Sequence, residues 1–505
     1  MSVVFITLVK VTATHPQTAE TRIVRVGTHS VDRRTAAEDP EERYAADIQG
    51  DPTFEWTLFS EGRISGSSVA SFGSLRLRNV DKKYDWMREW RGGAWSMEMM
   101  MAYGDPRTIA LDEFTLQITG ACGTVSLDEN FVTVPLRDPL SGFEETLQSN
   151  EFAGTNSGTT GDESTPDAFK GQLKPFALGR CLMVAPAPSN ASAYRYQVHD
   201  GTMEDITQSY AGGDVTAFTK DLASGIYTNI TGTGFLELTA DIRGAKPDGI
   251  YRSTPADLIA WLAIERAGLS SANAVEVAAL NAAAPYEVGY YASNGESLRE
   301  VADALAAPRI WYVPDGLGEL RMGRLETPSG SPVAEIGPAQ VGGVEGKPAV
   351  VPLESSEPGG SLPLKKLTLR GVRNWKTLSR DRTASGLDDE TRDELGVDYR
   401  ETVREDPAVK LAYPEAAEGV FTCLLTTLVD LEAEADALWA IRRHPQSFWR
   451  VPVETRLYLN VRVGQVVSFS YDRYQLDTPR LYLVLRRKLA GPDMLLDLWR
   501  PEVPI

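Results

Sequence analysis

The runs "TRIVRVGTHS" (21–30), "FEWTLFS" (54–60) and "GSLRLRN" (73–79) alternate apolar and polar residues over spans too short for helices. A period of two places successive side chains on opposite faces of an extended chain, so each run reads as a half-buried strand. Gly, Asp, Asn and Ser between the runs supply turns. Residues 1–150 are therefore expected to form an antiparallel β domain, either a barrel or a sandwich.

At 505 residues with 42% hydrophobic content, the chain exceeds what one core accommodates, and several domains are expected. A formal charge of -19 excludes a nucleic-acid grip, because neutralising phosphates requires clustered Lys and Arg. "MSVVFITLVKV" is apolar for only nine residues, with no basic residue before them and no small-residue cleavage site after them, so no signal peptide is expected. No window approaches the roughly 18 apolar residues of a membrane span. Cys122, Cys181 and Cys423 are distant and odd in number, which fits buried thiols in a reducing cytoplasm better than a disulfide framework.

Strand-like runs continue through 151–249 after a Gly/Ser/Thr-rich loop at 152–167. From 250 to 325 the period becomes helical. Thr254 stands as N-cap before Pro255, and "GESLREVADALAA" puts Leu298, Val301, Ala302 and Leu305 on one face. "PRIWYV" and "ELRM" then read as two strands about a Pro/Gly turn. This segment is expected to be an inserted α+β module projecting from the β domains. Residues 326–363 are rich in Pro and Gly without an apolar period and read as a linker. Residues 364–505 read as a C-terminal β domain with one helix, begun by Asp430 and ended before Pro445. The fold class is thus mainly β, multi-domain, with an α+β insertion.

Reactive spacing is not evident. "GTNSGTTGDES" lacks the Gly-Lys-Ser/Thr of a phosphate loop, and no Gly-x-Ser-x-Gly elbow occurs; Ser65 and Ser67 in "GRISGSS" read as turn chemistry. His15, His29, His199 and His444 stand singly, without metal spacing. Acidic pairs such as Asp388 with Asp389, or Glu432 with Glu434, are common in so acidic a chain and do not define a glycosidase. The basic stretch 373–382 is balanced by the acids that follow it. No catalytic residue, cofactor or metal is expected. The candidate packing or interface residues are Trp86, Trp90 and Trp95. Trp86 and Trp90 lie four apart on one face of a helical turn, and Trp95 opens the next strand. Plugging one end of a β barrel is the favoured role, and a subunit contact is the alternative.

"GRISGSSVASFGSLRLRNVDKKYDWMREWRGGAWSMEM" (62–99) resembles the N-terminal domain of tail-tip and baseplate hub proteins of long-tailed, siphovirus-type bacteriophages and related prophages. Three further blocks follow in the order of that family. They are "GQLKPFALGRCLMVAPAPSNASAYRYQVHDGTMEDI", "GESLREVADALAAPRIWYVPDGLGELRMGRL", and a set running from "LRGVRNWK" through "YPEAAEGVFTCLLTTLVDLEAEADALWAIRR" and "LNVRVGQVVSFSYDRYQL" to "LDLWRP". One departure is Lys82, which follows Asp81 where the family turn has glycine, so a changed turn conformation is expected there. The resemblance implies a virion structural protein, assembled in the host cytoplasm. Its β-barrel or sandwich domains would ring the tail channel, joining the tail tube or distal tail protein to fibre or tip proteins. Two β regions per chain favour a homotrimer in a six-fold tail, with a hexamer as alternative. DNA would pass through the channel without specific binding. The competing classes are a tail-associated enzyme degrading cell wall or polysaccharide, and a carbohydrate-binding module presenting Tyr286, Tyr290 and Tyr291.

Overall fold

A computed structural model describes residues 3–32, 43–165, 169–230, 236–342, 349–357 and 359–502, and the chain is mainly β in several sheets. The alternating N-terminal runs form the expected strands. Thr21–Gly27, Val4–Thr14, Trp95–Gly104 and Thr115–Ala121 lie side by side, with Val9 facing Val26 on one side and Met99 on the other. Ser126–Leu127, Phe131–Pro135 and Ser74–Arg78 make a second sheet. Inward residues of the first sheet, among them Val11, Met97 and Met99, share one core with Leu75, Leu77, Val132 and Val134 of the second. Of the two expected forms the sandwich is realised, and neither sheet closes into a barrel. Val4–Thr14 is buried on its other face too, where Ile6 and Leu8 meet Val31, Tyr44 and Phe114.

Thr53–Thr57 leaves this sandwich and pairs with the distant strand Arg480–Ala490, Thr57 opposite Arg486 and Thr53 opposite Ala490. The largest sheet therefore runs Glu335–Ile336, Val466–Phe469, Arg480–Ala490, Asp493–Pro501, Gln446–Glu454, Val351–Pro352, with Thr53–Thr57 attached at Arg480–Ala490 and Val69–Phe72 paired to Thr53–Thr57. Two of those strands come from 326–363, the segment expected to be a linker. Each contributes two residues, too few for any period to register. Glu357, in the same segment, is buried: it accepts from the Ile64 amide at 2.9 Å and pairs with Arg442 at 3.3 Å.

The region 170–245 has its own core, including Cys181, Val198, Ile206, Tyr227 and Ile242, between a five-stranded and a four-stranded sheet. Nearby, the loop at 152–167 is tied down where it is described. Phe152 and Ser164 are buried, and the Asn156 side chain donates to the Ser189 carbonyl at 2.5 Å.

The residues 250–325 form Pro255–Trp261, Ala274–Ala283 and Leu298–Ala306 as helices and Ile310–Pro314 with Glu319–Arg324 as strands. Thr254 caps as expected, and Ser297, not singled out from the sequence, caps the third helix reciprocally with Glu300. The buried face is Leu298, Val301, Ala302 and Leu305. It belongs to the same core as the N-terminal sandwich and the large C-terminal sheet, so the module is packed in rather than projecting. Phe143 and Tyr312, for example, meet at 5.6 Å. The C-terminal helix Leu428–Arg442 starts earlier than the sequence indicates: Thr427 is its N-cap, and Asp430 donates its amide to Thr427 Oγ1 at 3.2 Å.

That helix carries the principal polar joint. Glu434 is 3% exposed. Its Oε1 accepts from Arg309 Nε at 2.6 Å and its Oε2 from Arg309 Nη2 at 2.9 Å. Tyr286 donates its hydroxyl to Oε2 at 2.7 Å, and Arg324 closes the cluster against the same oxygen. Burial alone would raise the carboxyl's pKa, but the Arg309 hydrogen bonds and both guanidinium charges outweigh it and bring the value down to about 2. A carboxylate whose folded pKa lies below its ordinary 4.5 stabilises the fold above that pH, and the contribution fades as the pH falls from 4.5 toward 2. Glu434→Gln is expected to cost roughly 3–5 kcal/mol in denaturant unfolding at neutral pH, because it strands two buried cations. Between pH 4.5 and 2 the parent chain should lose stability more steeply than the variant; parallel profiles would refute the assignment.

Candidate functional site

The tryptophan segment is organised by Asn79. Its buried amide accepts from the Tyr84 backbone N–H at 2.8 Å and donates to Asp85 Oδ1 at 2.8 Å, which closes the turn 79–85. Lys82 inside that turn has φ +62°, the left-handed conformation that a glycine would adopt freely. Lys82 therefore bears the steric cost of a conformation suited to glycine. Tyr84 donates its hydroxyl to Asp47 at 2.8 Å, and burial together with that carboxylate raises its pKa.

Met87–Trp90 is a single helical turn, and Gly93 brings the chain back across the end of Val4–Thr14. A Cβ at Gly93 would lie 1.8 Å from the Thr14 carbonyl oxygen, so only glycine fits that approach. Trp95 then opens its strand opposite Ala13. The structure brings all three indoles together. Trp86 meets Trp90 edge to face at 5.0 Å and stacks on Trp95 at 6.2 Å, while Trp95 Nε1 donates to the Trp90 carbonyl at 3.1 Å. Trp90 and Trp95 are buried and Trp86 is half-buried. Arg22, exposed on Thr21–Gly27, sits over the rings of Trp86 and Trp90 at 5.1 and 4.7 Å, and His15 meets Trp90 at 5.3 Å. The cluster caps one end of the sandwich and presents the face of Trp86, under Arg22, at the surface.

The other residues weighed from the sequence are held structurally. Tyr286 serves Glu434, Tyr290 packs against Trp375 at 5.2 Å, and Tyr291 is buried with its hydroxyl donating to the Ala185 carbonyl at 2.7 Å. They do not form an exposed aromatic platform. His199 is buried, accepts from the Ala177 amide at 3.1 Å, and is pushed down to about 3 by burial, which keeps it neutral. Ser65 and Ser67 donate to Glu357 and Asp303, at 2.9 and 2.5 Å. Asp388 caps the helix Asp389–Leu395. The basic stretch is distributed over separate acids: Arg373 on Asp398, Arg380 on Asp393, Arg382 on Glu237. All three cysteines are free and buried, and burial pushes Cys122 and Cys423 up to about 12. Among the described residues, no group of three or more His, Cys, Asp or Glu is placed to hold a metal ion.

One residue escapes the sequence reading. Arg487 falls in phase with Leu485 and Leu489, so its inward placement was signalled by a cation on the apolar side of an alternating strand. In the structure it is buried, with its guanidinium 5.1 Å from the Trp56 ring.

Trp90→Ala is expected to cost roughly 3–5 kcal/mol in urea unfolding, and Trp86→Ala clearly less, since Trp86 is only partly buried. Lys82→Gly should stabilise by about 1 kcal/mol through relief of the left-handed backbone. A destabilising Lys82→Gly would contradict the turn geometry.

No protein-family model matches the chain, and no curated protein matches it. Solved structures similar to it over nearly its whole length include three tail proteins. One is a tail protein from Neisseria meningitidis MC58, 10% identical, TM-score 0.40, covering 98% of this chain and 96% of that one. Another is the 43 kDa tail protein of prophage MuSo2 from Shewanella oneidensis, 9% identical, TM-score 0.40, covering 98% and 97%. The third is a prophage tail protein from Listeria monocytogenes EGD-e, 9% identical, TM-score 0.35, covering 98% and 94%. TM-scores of this size do not establish a shared fold.

Proposed function

We propose that the chain is a structural component of a phage-type tail baseplate or tip, a hub subunit that closes with copies of itself into a ring around the tail channel. The observation that carries this reading is the way Thr53–Thr57 hydrogen-bonds into the sheet of Arg480–Ala490. This pairing makes the N-terminal sandwich and the C-terminal sheet one β platform, and the α+β residues are wedged into its core. A subunit that transmits load between neighbours needs such a stiff body with different surfaces at its two β regions, since ring closure is built from heterologous contacts. The ordered sequence blocks described above point the same way. The Trp86 face, with Arg22 across it, is the contact proposed for a neighbouring subunit, while Trp90 and Trp95 seal the sandwich end.

In this reading three copies make the ring, with six as the alternative. The tail tube or distal tail protein lies on one side and fibre or tip proteins on the other. The excess of acidic residues, 70 against 51 basic, keeps DNA from adhering as it passes. Catalysis plays no part; the acids weighed as glycosidase candidates serve as caps and ion-pair partners instead.

Immunogold labelling of assembled particles should place the chain at the tail end, and native mass spectrometry of the isolated tip should count three copies. Six equivalent copies would sink the trimer. Label absent from the particle, or peptidoglycan or polysaccharide cleavage by the purified chain, would overturn the structural role. Trp86→Ala should lower incorporation into particles while the isolated chain stays folded.

A further inference from the structure

Where the N-terminal sandwich, the α+β residues and the large C-terminal sheet meet, a cavity of about 40 Å³ opens to solvent, lined by Trp56, Arg487, Arg462, Arg321 and residues 313–317. That volume holds about three water-sized spheres, the number of heavy atoms in a carboxylate. Two of its three arginines are neutralised. Arg462 donates to Asp315 Oδ2 at 2.7 Å, and Arg321 Nε to Glu276 Oε2 at 2.9 Å. Arg487 differs. It is 6% exposed, has no acidic partner among the described residues, and makes one hydrogen bond, from Nη2 to the Leu459 carbonyl at 2.8 Å. Its Nε has no partner, and neither does the indole Nε1 of Trp56, 4% exposed and packed against the guanidinium. Burial and the nearby charge of Arg462 weaken its hold on its own proton, bringing it down to about 10.

We infer that this cavity is a binding site for a monocarboxylate bearing a short aliphatic group. The reasons are chemical. Arg462 and Arg321 each have a carboxylate partner and Arg487 has none, so a monoanion supplies the counter-charge that Arg487 lacks. A buried cation without a counterion is costly, and a donor left unpaired in a desolvated site adds to that cost. A water molecule could accept from Arg487 Nε, but it would leave the charge unbalanced. A carboxylate supplies the charge and two acceptor oxygens, matching the planar donor edge of a guanidinium. The aliphatic part follows from the mouth: Leu116 and Leu317 are 40% and 38% exposed there, and Val313, Pro314 and Val463 line the way in. Such a group is presented by the last residue of a partner chain or by a free small aliphatic acid. This assignment stands independently of the tail reading.

Ligand-observed NMR titration of the full chain separates these sources. N-acetyl-leucine represents a chain end, isovalerate a free acid, and N-acetyl-leucinamide is the uncharged control. The acids are expected to bind at least about tenfold more tightly than the amide, the worth of one charge-assisted hydrogen bond. Binding of N-acetyl-leucine assigns the site to a chain end. Binding of isovalerate with N-acetyl-leucine excluded assigns it to a free acid. Arg487→Met should abolish the difference between acid and amide. Because that change touches the core, Leu317→Asp at the exposed mouth is the second variant, expected to keep the fold, to weaken both ligands through the lost apolar contact, and to weaken the acids further by repulsion, so that the acid-to-amide ratio falls. Equal affinity for acid and amide, no binding of either acid to the folded chain, or acid binding unchanged in both variants would overturn the assignment.

Discussion

The buried ion cluster at Glu434 holds together parts of the chain that hydrophobic contact alone would orient loosely. Apolar packing is not directional, and the helices at 255–306 could slide over the C-terminal sheet with little change in buried area. Glu434 removes that freedom. It accepts one hydrogen bond from Arg309 on each oxygen and takes Arg324 and Tyr286 on Oε2 as well, so a single carboxylate fixes the angle between the helix Leu428–Arg442 and the strands Ile310–Pro314 and Glu319–Arg324. Net stabilisation from such clusters is modest, because desolvating the ions is expensive. Their value here is one relative placement of two regions.

Glu357 does the same for the long connection between those regions. Its two oxygens bridge Arg442 at the end of the helix to the Ile64 amide and the Ser65 hydroxyl in the N-terminal region. Both acids are among the few charged residues that are nearly fully buried, and both face buried arginines.

What could be read in advance follows from how local each signal is. The strands of the N-terminal sandwich and the cap at Thr254 are written within a few residues, and they appear where expected. Trp86, Trp90 and Trp95 were legible as a group because helical spacing and a short turn keep them close. Glu434 had a signal that went unused: Leu431, Ala435 and Leu438 form the buried stripe, and position 434 falls within it, so an acid there implied a buried partner. The strands Glu335–Ile336 and Val351–Pro352 had none, since two residues carry no period. Nor does any local pattern specify that Thr53–Thr57 pairs with residues more than four hundred positions away; that choice is made by whichever sheet edge is free once the rest has packed.

This last pairing bears on how the protein is made. Glu55, in the paired strand, bonds Arg486 across 431 positions of chain. At a synthesis rate of roughly 5–20 residues per second, Thr53–Thr57 waits about 20–90 s on the ribosome before its partner emerges. Throughout that interval the strand containing Phe54 and Trp56, both buried in the finished molecule, is paired on one edge only, with Val69–Phe72. A chain cut short anywhere before the last strands would keep that sticky segment permanently, and quality control in the cell would meet it as a target for chaperones and proteases. Completion of the last strands thereby becomes a checkpoint, because only then is this edge closed.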